Sequence, residues 1–170
     1  IIVFVGLQIC SIDNVVLQKE EVTKNIFPHQ VYVWQRRWDE SVAYAIERSQ
    51  GSFESFVVLV AEISWKGTTP KTTRIKVDYE TLKKTNKPIG LALRIGPLHG
   101  SIDAYRMNAS YLASLADELL RSAHKAGISV SEFQLDFDAA ESKLDAYRMW
   151  VEHLQKKVKN VPVTITALPC

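Results

Sequence analysis

The fold is decided by the stretch Ser131-Glu132-Phe133-Gln134-Leu135-Asp136-Phe137-Asp138-Ala139. Its side chains alternate between an apolar row (Phe133, Leu135, Phe137) and a polar row (Gln134, Asp136, Asp138). Because successive side chains of a strand point to opposite faces, this alternation predicts a β-strand. The stretch lies between two amphipathic helical segments, as a parallel strand does, and parallel strands are usually covered on both sides. Acids on a covered strand are costly unless they are paired, hydrogen-bonded or facing a cavity. We therefore predict that the polar row faces a cavity at the strand's carboxyl end, with a structural carboxylate network as the alternative.

The rest of the chain alternates between further strands and helices. Strands are predicted at 31–36, 56–64, 90–96 and 161–168 from their β-branched, aromatic or continuously apolar composition. Longer helices are predicted after the capping residue Asp39, over 108–126 and over 144–158. Residues 66–87 are predicted as a turn, a short extended piece at 73–77 and a short helix capped by Asp78, and 97–107 as a long loop. This order of elements is typical of a parallel α/β fold.

Two architectures fit that order: an open doubly wound sheet, or the first five strands of a (β/α)8 TIM-like barrel. On every strand one alternating set is apolar, whereas the other becomes polar or aromatic toward the strand's end. The predicted outward set includes Val57, Leu59, Ala61 and Ile63, and the predicted inward set includes Val58, Val60, Glu62 and Ser64. A barrel has this asymmetry, since only its outward set meets helices. We therefore predict a TIM-barrel-like fold over 27–170. A whole barrel takes at least about 200 residues, so the prediction is a barrel truncated after about five strands.

Composition and the chain ends limit the other possibilities. The chain has 170 residues and a net charge of +2, and no basic run is interleaved with aromatic residues, so we predict no nucleic-acid partner. Cys10 and Cys170 offer neither metal-ligand spacing nor a disulfide framework, and we predict no cofactor. Residues 1–26 are predicted as a signal- or lipoprotein-like tail and connector, with export and a lipid anchor at Cys10; a first buried strand is the alternative for Ile1–Ile9.

Four short stretches carry a resemblance to a known family: Tyr32-Val33-Trp34-Gln35-Arg36, Leu93-Arg94-Ile95, Gln134-Leu135-Asp136-Phe137-Asp138 and Ile165-Thr166-Ala167-Leu168-Pro169. Together they resemble a bacterial family of unknown function, whose members are exported proteins regarded as barrels distantly similar to glycoside hydrolases. The resemblance covers roughly residue 27 to the C-terminus. It implies a sugar-active barrel in the cell envelope and names no substrate.

The chain is also similar, more loosely, to chitinase-like barrels, which carry Asp-x-x-Asp-x-Asp-x-Glu on the fourth strand with the last Glu as general acid. Asp136 and Asp138 match the second and third acids of that pattern. Phe133 stands at the first acid position and Ala140 at the general-acid position, with Glu141 one residue late. This departure speaks against the chitinase mechanism in its usual form.

The predicted site combines acids, a cation and aromatic residues near the carboxyl ends of the strands. Asp138 is predicted as acid/base or nucleophile, with Asp136 deeper and tuning it and Glu62 as a further carboxylate, because glycosidases use paired carboxyl groups. Aromatic faces suit sugar rings, and Arg94 is interpreted either as a ligand contact or as a buried ion-pair partner of Asp136 or Glu62. The predicted substrate-binding residues are Trp34, Arg36, Trp65, Arg94, Gln134 and Thr166. No metal site is predicted.

Three function classes follow from these residues. The first is a carbohydrate-active barrel that hydrolyses a glycosidic bond of an oligo- or polysaccharide. The second is a barrel that binds an envelope polysaccharide without cleaving it, which the missing acid at Ala140 favours. The third is a divalent-metal-dependent hydrolase using Glu62, Asp136 and Asp138.

Overall fold

The structure, a computed structural model, describes residues 29–98 and 102–166, the side chains of 102–105 and 107 excepted. The predicted tail 1–26, with its lipid-anchor residue Cys10, and also Cys170 lie outside the described residues. The strands are β1 Gln30–Val33, β2 Ser55–Lys66, β3 Thr69–Arg74, β4 Ile89–Ile95, β5 Val130–Phe137 and β6 Val163–Ile165. The helices are α1 Glu40–Ser49, α2 Tyr79–Lys84, α3 Ile102–Lys125 and α4 Leu144–Lys157, and a 3-10 turn, Glu141–Lys143, precedes α4.

The two predicted aspartate caps are confirmed. The Asp39 carboxylate accepts hydrogen bonds from the backbone N–H groups of Ser41 and Val42 at the start of α1. The Asp78 carboxylate does the same for Glu80 and Thr81 at the start of α2. These bonds satisfy donors that have no partner within the helix. A further hydrogen bond from the Thr81 hydroxyl is the main cause that holds the pKa of Asp78 below its ordinary value.

The strands form one sheet in the order β1-β2-β4-β5-β6, and all of these pairs are parallel. Within the described residues β1 and β6 are the edges, and the sheet is not closed. All four helices contribute to a single core cluster with strand residues of one parity, which include Leu91, Leu93 and Ile95 on β4 and Phe133, Leu135 and Phe137 on β5. The helices therefore cover one face of the sheet, as in a barrel wall, whereas a doubly wound sheet has helices on both faces.

The parity predicted for the first half of β2 is wrong. A register shift lies between Leu59 and Ala61, so Val57 and Leu59 pair with Gly90 and Ala92 on the face away from the helices. Beyond the shift Glu62 pairs with Arg94 on that same face. A bulge inserts one residue into a strand and inverts the alternation that follows. Phe56, Val58, Val60, Ala61 and Ile63 consequently all belong to the helix-side core.

The face away from the helices is concave, and side chains of β1 reach across it to β5. Gln30 donates its amide N–H to the Glu132 carboxylate at 2.6 Å, and the Gln134 amide donates to the Tyr32 hydroxyl at 3.0 Å. In a flat sheet these strands would lie about 14 Å apart, three strand spacings, so the sheet must curve strongly for the side chains to meet. Gly90 leaves the necessary room, since a Cβ there would lie 2.7 Å from Glu132 Cγ.

The region after β2 differs from the prediction in two places. The predicted extended piece at 73–77 is instead β3, which pairs antiparallel with the end of β2 and forms a hairpin with a two-residue turn at Gly67 and Thr68. Gly67 has a φ of +61°, which a glycine adopts without strain. The predicted loop 97–107 is shorter, because α3 already begins at Ile102. Among the helices of the described residues, none combines the length and apolar character needed to cross a membrane.

Candidate functional site

A row of charged and polar side chains crosses the concave face at the carboxyl ends of the strands. Glu62 on β2, Arg94 on β4 and Asp136 on β5 are direct cross-strand neighbours. Arg36, beyond the end of β1, and Thr166, beyond the end of β6, extend the row at either side through contacts with Glu62 and Asp136. The structure thus brings together five of the nine predicted site residues in one line.

Glu62 is held firmly by Arg36. The Arg36 guanidinium places Nε 2.6 Å from Oε2 and Nη2 3.0 Å from Oε1, so both carboxylate oxygens are engaged. The Glu62 side chain is 15% exposed, whereas that of Arg36 is 73% exposed. The hydrogen bond, and then the charge, of Glu62 raise the pKa of Arg36. A carboxylate held at both oxygens is fixed in its orientation.

Asp136 is held more loosely. The Thr166 hydroxyl donates to Oδ1 at 3.0 Å, and Arg94 Nε lies 3.8 Å from Oδ2. Asp136 is 21% exposed and Arg94 is 57% exposed. Arg94 is thus an ion-pair partner of Asp136, as one interpretation predicted, but it is not buried, and Glu62 is paired with Arg36 instead.

Asp138 follows the last residue of β5 and is exposed. The backbone N–H of Ala139 donates to the Phe137 carbonyl at 3.0 Å, which closes a three-residue turn around Asp138. Asp138 has no hydrogen-bond or ion-pair partner among the described residues, in contrast to Glu62 and Asp136. Of the three predicted catalytic carboxylates it is the one that a ligand can reach without displacing a protein partner.

The predicted aromatic residues occupy different places. Trp34 is 38% exposed and stacks on Tyr32, which is 41% exposed, with ring centroids 5.6 Å apart and nearly parallel planes. Gln134, which anchors the Tyr32 hydroxyl, is buried, and its Oε1 has no partner in the described structure. Trp65 lies on the helix side, stacked on Trp150 and donating its indole N–H to the Gly96 carbonyl at 2.8 Å. Trp65 is therefore not part of the group that faces the concave side.

A cleft of ≈ 420 Å³ opens beside the polar row. Predicted residues Arg36, Glu62 and Arg94 line it, and so do Ser64, Thr73 and Gly96, which the sequence reasoning did not assign to the site. Ser64 was in the predicted inward set, whereas Thr73 lies there only because β3 folds back along β2. A larger hollow of ≈ 700 Å³ lies between β1 and α1, but no predicted site residue lines it and much of its lining is the apolar helix side of the sheet.

The described residues contain no group of three or more histidine, cysteine, aspartate or glutamate side chains placed to hold a metal ion. Glu62 and Asp136 stand on either side of Arg94, whose positive charge opposes a cation between them. The arrangement therefore gives the metal-dependent hydrolase no ligand set in this part of the chain.

Comparisons with solved structures identify the fold. The Bacillus cereus spore cortex-lytic enzyme SleL superimposes with a TM-score of 0.59 at 14% identity, over 83% of this chain and 35% of that one. A chitinase from Chromobacterium violaceum gives a TM-score of 0.54 at 16% identity, over 80% and 44% of the two chains. The catalytic domain of endolysin ply40 from bacteriophage P40 of Listeria monocytogenes gives 0.54 at 14% identity, over 80% and 61%.

These similarities confirm the predicted fold class, a TIM-barrel-like α/β fold whose sheet is not closed within the described residues. The chain spans less than two thirds of each of these proteins. No protein-family model matches the sequence. The comparison with curated proteins also gives no match. The resemblance to the exported bacterial family accordingly stays a prediction.

Proposed function

We propose that this chain forms the glycan-binding wall of a carbohydrate-active barrel, which hydrolyses a glycosidic bond of an oligo- or polysaccharide at the carboxyl ends of its strands. The observation that carries the proposal is the polar row from Arg36 to Thr166 beside an open cleft, with the exposed Tyr32–Trp34 stack on the same concave face. Aromatic faces pack against sugar rings, and charged or hydroxyl side chains bind sugar hydroxyl groups. The shared fold with a chitinase and lytic enzymes supports the same class of substrate.

In the proposed mechanism Asp138 is the reacting carboxyl group. It follows the carboxyl end of β5 without a protein partner among the described residues. Asp138 would either protonate the glycosidic oxygen while a second carboxylate activates the attacking water, or attack the anomeric carbon while a second carboxyl group protonates the leaving oxygen. In this proposal the second carboxyl group comes from another strand of the barrel. Glu62 and Asp136 are positioning groups, since each is already engaged by neighbouring side chains. They orient Arg36 and Arg94 toward the cleft, where guanidinium groups can hold a sugar ring in place.

The test compares two isosteric variants, Asp138→Asn and Asp136→Asn, by glycan turnover in a broad substrate screen. We expect Asp138→Asn to lose essentially all turnover while binding is retained, because an amide keeps the shape but can neither transfer the proton nor form a glycosyl ester. Asp136→Asn should lose far less turnover. It should also lower stability by only about 1 kcal/mol, since its partner Arg94 is exposed and screened by water. Full turnover by Asp138→Asn would show that the assignment is wrong.

A non-catalytic glycan-binding barrel is the second candidate, and one arrangement favours it. Ala140 occupies the position of the general acid in the chitinase-like pattern, and Glu62 and Asp136 both face arginines. A wild-type protein that binds a glycan in calorimetry, yet releases no reducing ends during prolonged incubation, would decide for this candidate.

We also propose export to the cell envelope, where such polysaccharides occur, on the basis of the tail 1–26 and Cys10. Cell fractionation with wild type and Cys10→Ser tests this proposal. A lipid-anchored protein should leave the membrane fraction in Cys10→Ser, whereas wild type found only in the cytoplasm would contradict export.

A further inference from the structure

The β2–β3 hairpin has two faces of different chemistry. Three cross-strand pairs lie on the face that continues the cleft, namely Glu62 with Thr73, Ser64 with Lys71, and Lys66 with Thr69. The pairs Ile63 with Thr72 and Trp65 with Pro70 lie on the opposite face, together with Arg74 opposite Ala61. We call the face that continues the cleft the hairpin inner face and define it by Ser64, Lys66, Thr69, Lys71 and Thr73.

The opposite face fastens the hairpin to the helices. Thr72 hydrogen-bonds the Tyr111 hydroxyl of α3, and Arg74 Nη2 lies 2.8 Å from Glu118 Oε2. Trp65 stacks on Trp150 of α4. Because these contacts fix one side, the hairpin inner face is held in a defined direction, and all five of its residues are exposed.

The hairpin inner face carries uncompensated positive charge. No acidic residue occurs between Glu62 and Asp78, whereas Lys66, Lys71, Arg74 and Lys76 do. Arg74 is paired with Glu118 on the other side, but Lys66 and Lys71 have no acidic partner among the described residues. This is a local property, since the whole chain has a net charge of only +2.

Arg94 continues this positive charge into the cleft. Its side chain lines the cleft, is 57% exposed and approaches its nearest carboxylate, that of Asp136, only to 3.8 Å. From Glu62 to Lys66 the strand advances about 13 Å, which is longer than one sugar ring. Positive side chains and hydroxyl groups therefore alternate along a path that starts in the cleft and leaves it along the hairpin.

We propose that the hairpin inner face and Arg94 bind a carboxylated glycan. Arg94 would hold one carboxylate in the cleft, and Lys66 and Lys71 would hold carboxylates of sugar units farther along the glycan. The proposal rests on the proposed function and names its substrate class. A guanidinium matches the fork of a carboxylate, and lysines act as point charges that tolerate different spacings. The hydroxyls of Ser64, Thr69 and Thr73 suit the sugar hydroxyls between the charges.

The experiment measures calorimetric affinity for three probes: hexagalacturonic acid, its fully methyl-esterified form, and a poly-glutamate of equal charge. We expect the acid to bind about tenfold more tightly than the ester at low salt and to lose this advantage as salt screens the exposed charges. Lys66→Gln/Lys71→Gln should weaken binding of the acid about fivefold and leave binding of the ester nearly unchanged. Arg94→Gln should weaken binding of the acid about tenfold and binding of the ester to a smaller extent, because the guanidinium also holds the sugar ring in the cleft. The matched control is Lys156→Gln/Lys157→Gln in the last turn of α4, which should change nothing.

Three other binding results would contradict either the carboxylate inference or the proposed function. Equal affinity for acid and ester would overturn the carboxylate inference and leave the proposed glycan-binding function standing. Poly-glutamate binding as tightly as the acid would overturn it too, because the surface would then be a general polyanion site. Binding of neither galacturonide would overturn the inference, and failure of a broad panel of neutral glycans as well would overturn the proposed function. Unfolding curves of the exposed lysine variants, expected to match wild type, separate lost contacts from lost folding.

Discussion

The two faces of the sheet differ in what they bury and in what they leave open. The helix-covered face is a continuous apolar core, in which Trp150, Phe56 and Phe133 are almost completely buried. The concave face carries the polar row, the Tyr32–Trp34 stack and two hydrogen bonds that span from β1 to β5. Stability therefore depends mainly on the first face, whereas the second determines the curvature of the sheet and offers groups to a ligand.

The largest expected loss of stability comes from comparing two tryptophan variants, one on each face of the sheet. Trp150→Ala should lower the free energy of unfolding by about 3–5 kcal/mol, because it removes a buried ring that packs on Trp65, Phe137 and Tyr147. Trp34→Ala should cost about 1 kcal/mol or less, since its ring is partly in solvent. Urea unfolding of the two variants and of wild type would measure both losses. Equal losses would show that the concave face contributes to the core in a way that its exposure does not indicate.

An intermediate effect is expected from Gly90, which lies beneath the bridge between β1 and β5. Gly90→Ala would place a Cβ 2.7 Å from Glu132 Cγ and 3.0 Å from Val57 Cγ2, and we expect a loss of about 1–3 kcal/mol. Adding Glu132→Ala should recover part of that loss, because it removes the nearer obstacle. The control is Gly51→Ala, where a Cβ meets nothing within 4 Å. A Gly90→Ala protein as stable as wild type would contradict the close packing of the bridge.

The smallest expected effect compares one tyrosine hydroxyl on each face. The Tyr147 hydroxyl donates to the Leu135 carbonyl at 3.3 Å in the core, and Tyr147→Phe should cost about 1 kcal/mol. Tyr32→Phe should cost less, because its ring is partly exposed and water can replace the lost contact with Gln134.

Tyr147→Phe should also change how stability depends on alkaline pH. Burial, and then the negative charge of Asp136, raise the pKa of Tyr147 above its ordinary value of 10.0. The folded state keeps this proton at pH values where the unfolded chain has lost it. Its contribution to stability is therefore complete below about pH 10 and is lost as the pH rises toward the folded-state pKa. Tyr147→Phe should flatten this decline in unfolding free energy, and an unchanged slope would show that Tyr147 is not its source.

The helix-side face could be predicted from sequence because its signal is local. The alternation on β4 and β5, and the helix caps at Asp39 and Asp78, all agree with the structure. The bulge between Leu59 and Ala61 could not be predicted, because Phe56 to Ile63 is apolar on both parities apart from Glu62 and shows no break in its pattern. The β2–β3 hairpin was not predicted for a related reason. Residues 66–74 are mostly polar and lack the alternation of apolar and polar side chains that indicates a strand.

The candidate site was predictable in part. Strand parity alone indicated that Glu62, Arg94 and Asp136 share a face, and their register confirms it. The ion pair between Arg36 and Glu62 was not predicted, because Arg36 lies beyond the end of β1, where strand alternation no longer fixes a side chain's direction. Trp65 has the parity of the helix side, a fact that its position near the end of a strand obscured.

The bridges across the concave face also bear on the order in which the chain folds. Gln30 and Glu132 are 102 residues apart in sequence, as are Tyr32 and Gln134. Closing so long a loop costs conformational entropy before any contact compensates for it, so contacts of this kind form late. The β2–β3 hairpin joins residues only a few positions apart and can form early. We therefore expect the sheet to assemble first from neighbouring strands and to acquire its final curvature near the end of folding, when β1 and β5 come within reach of each other.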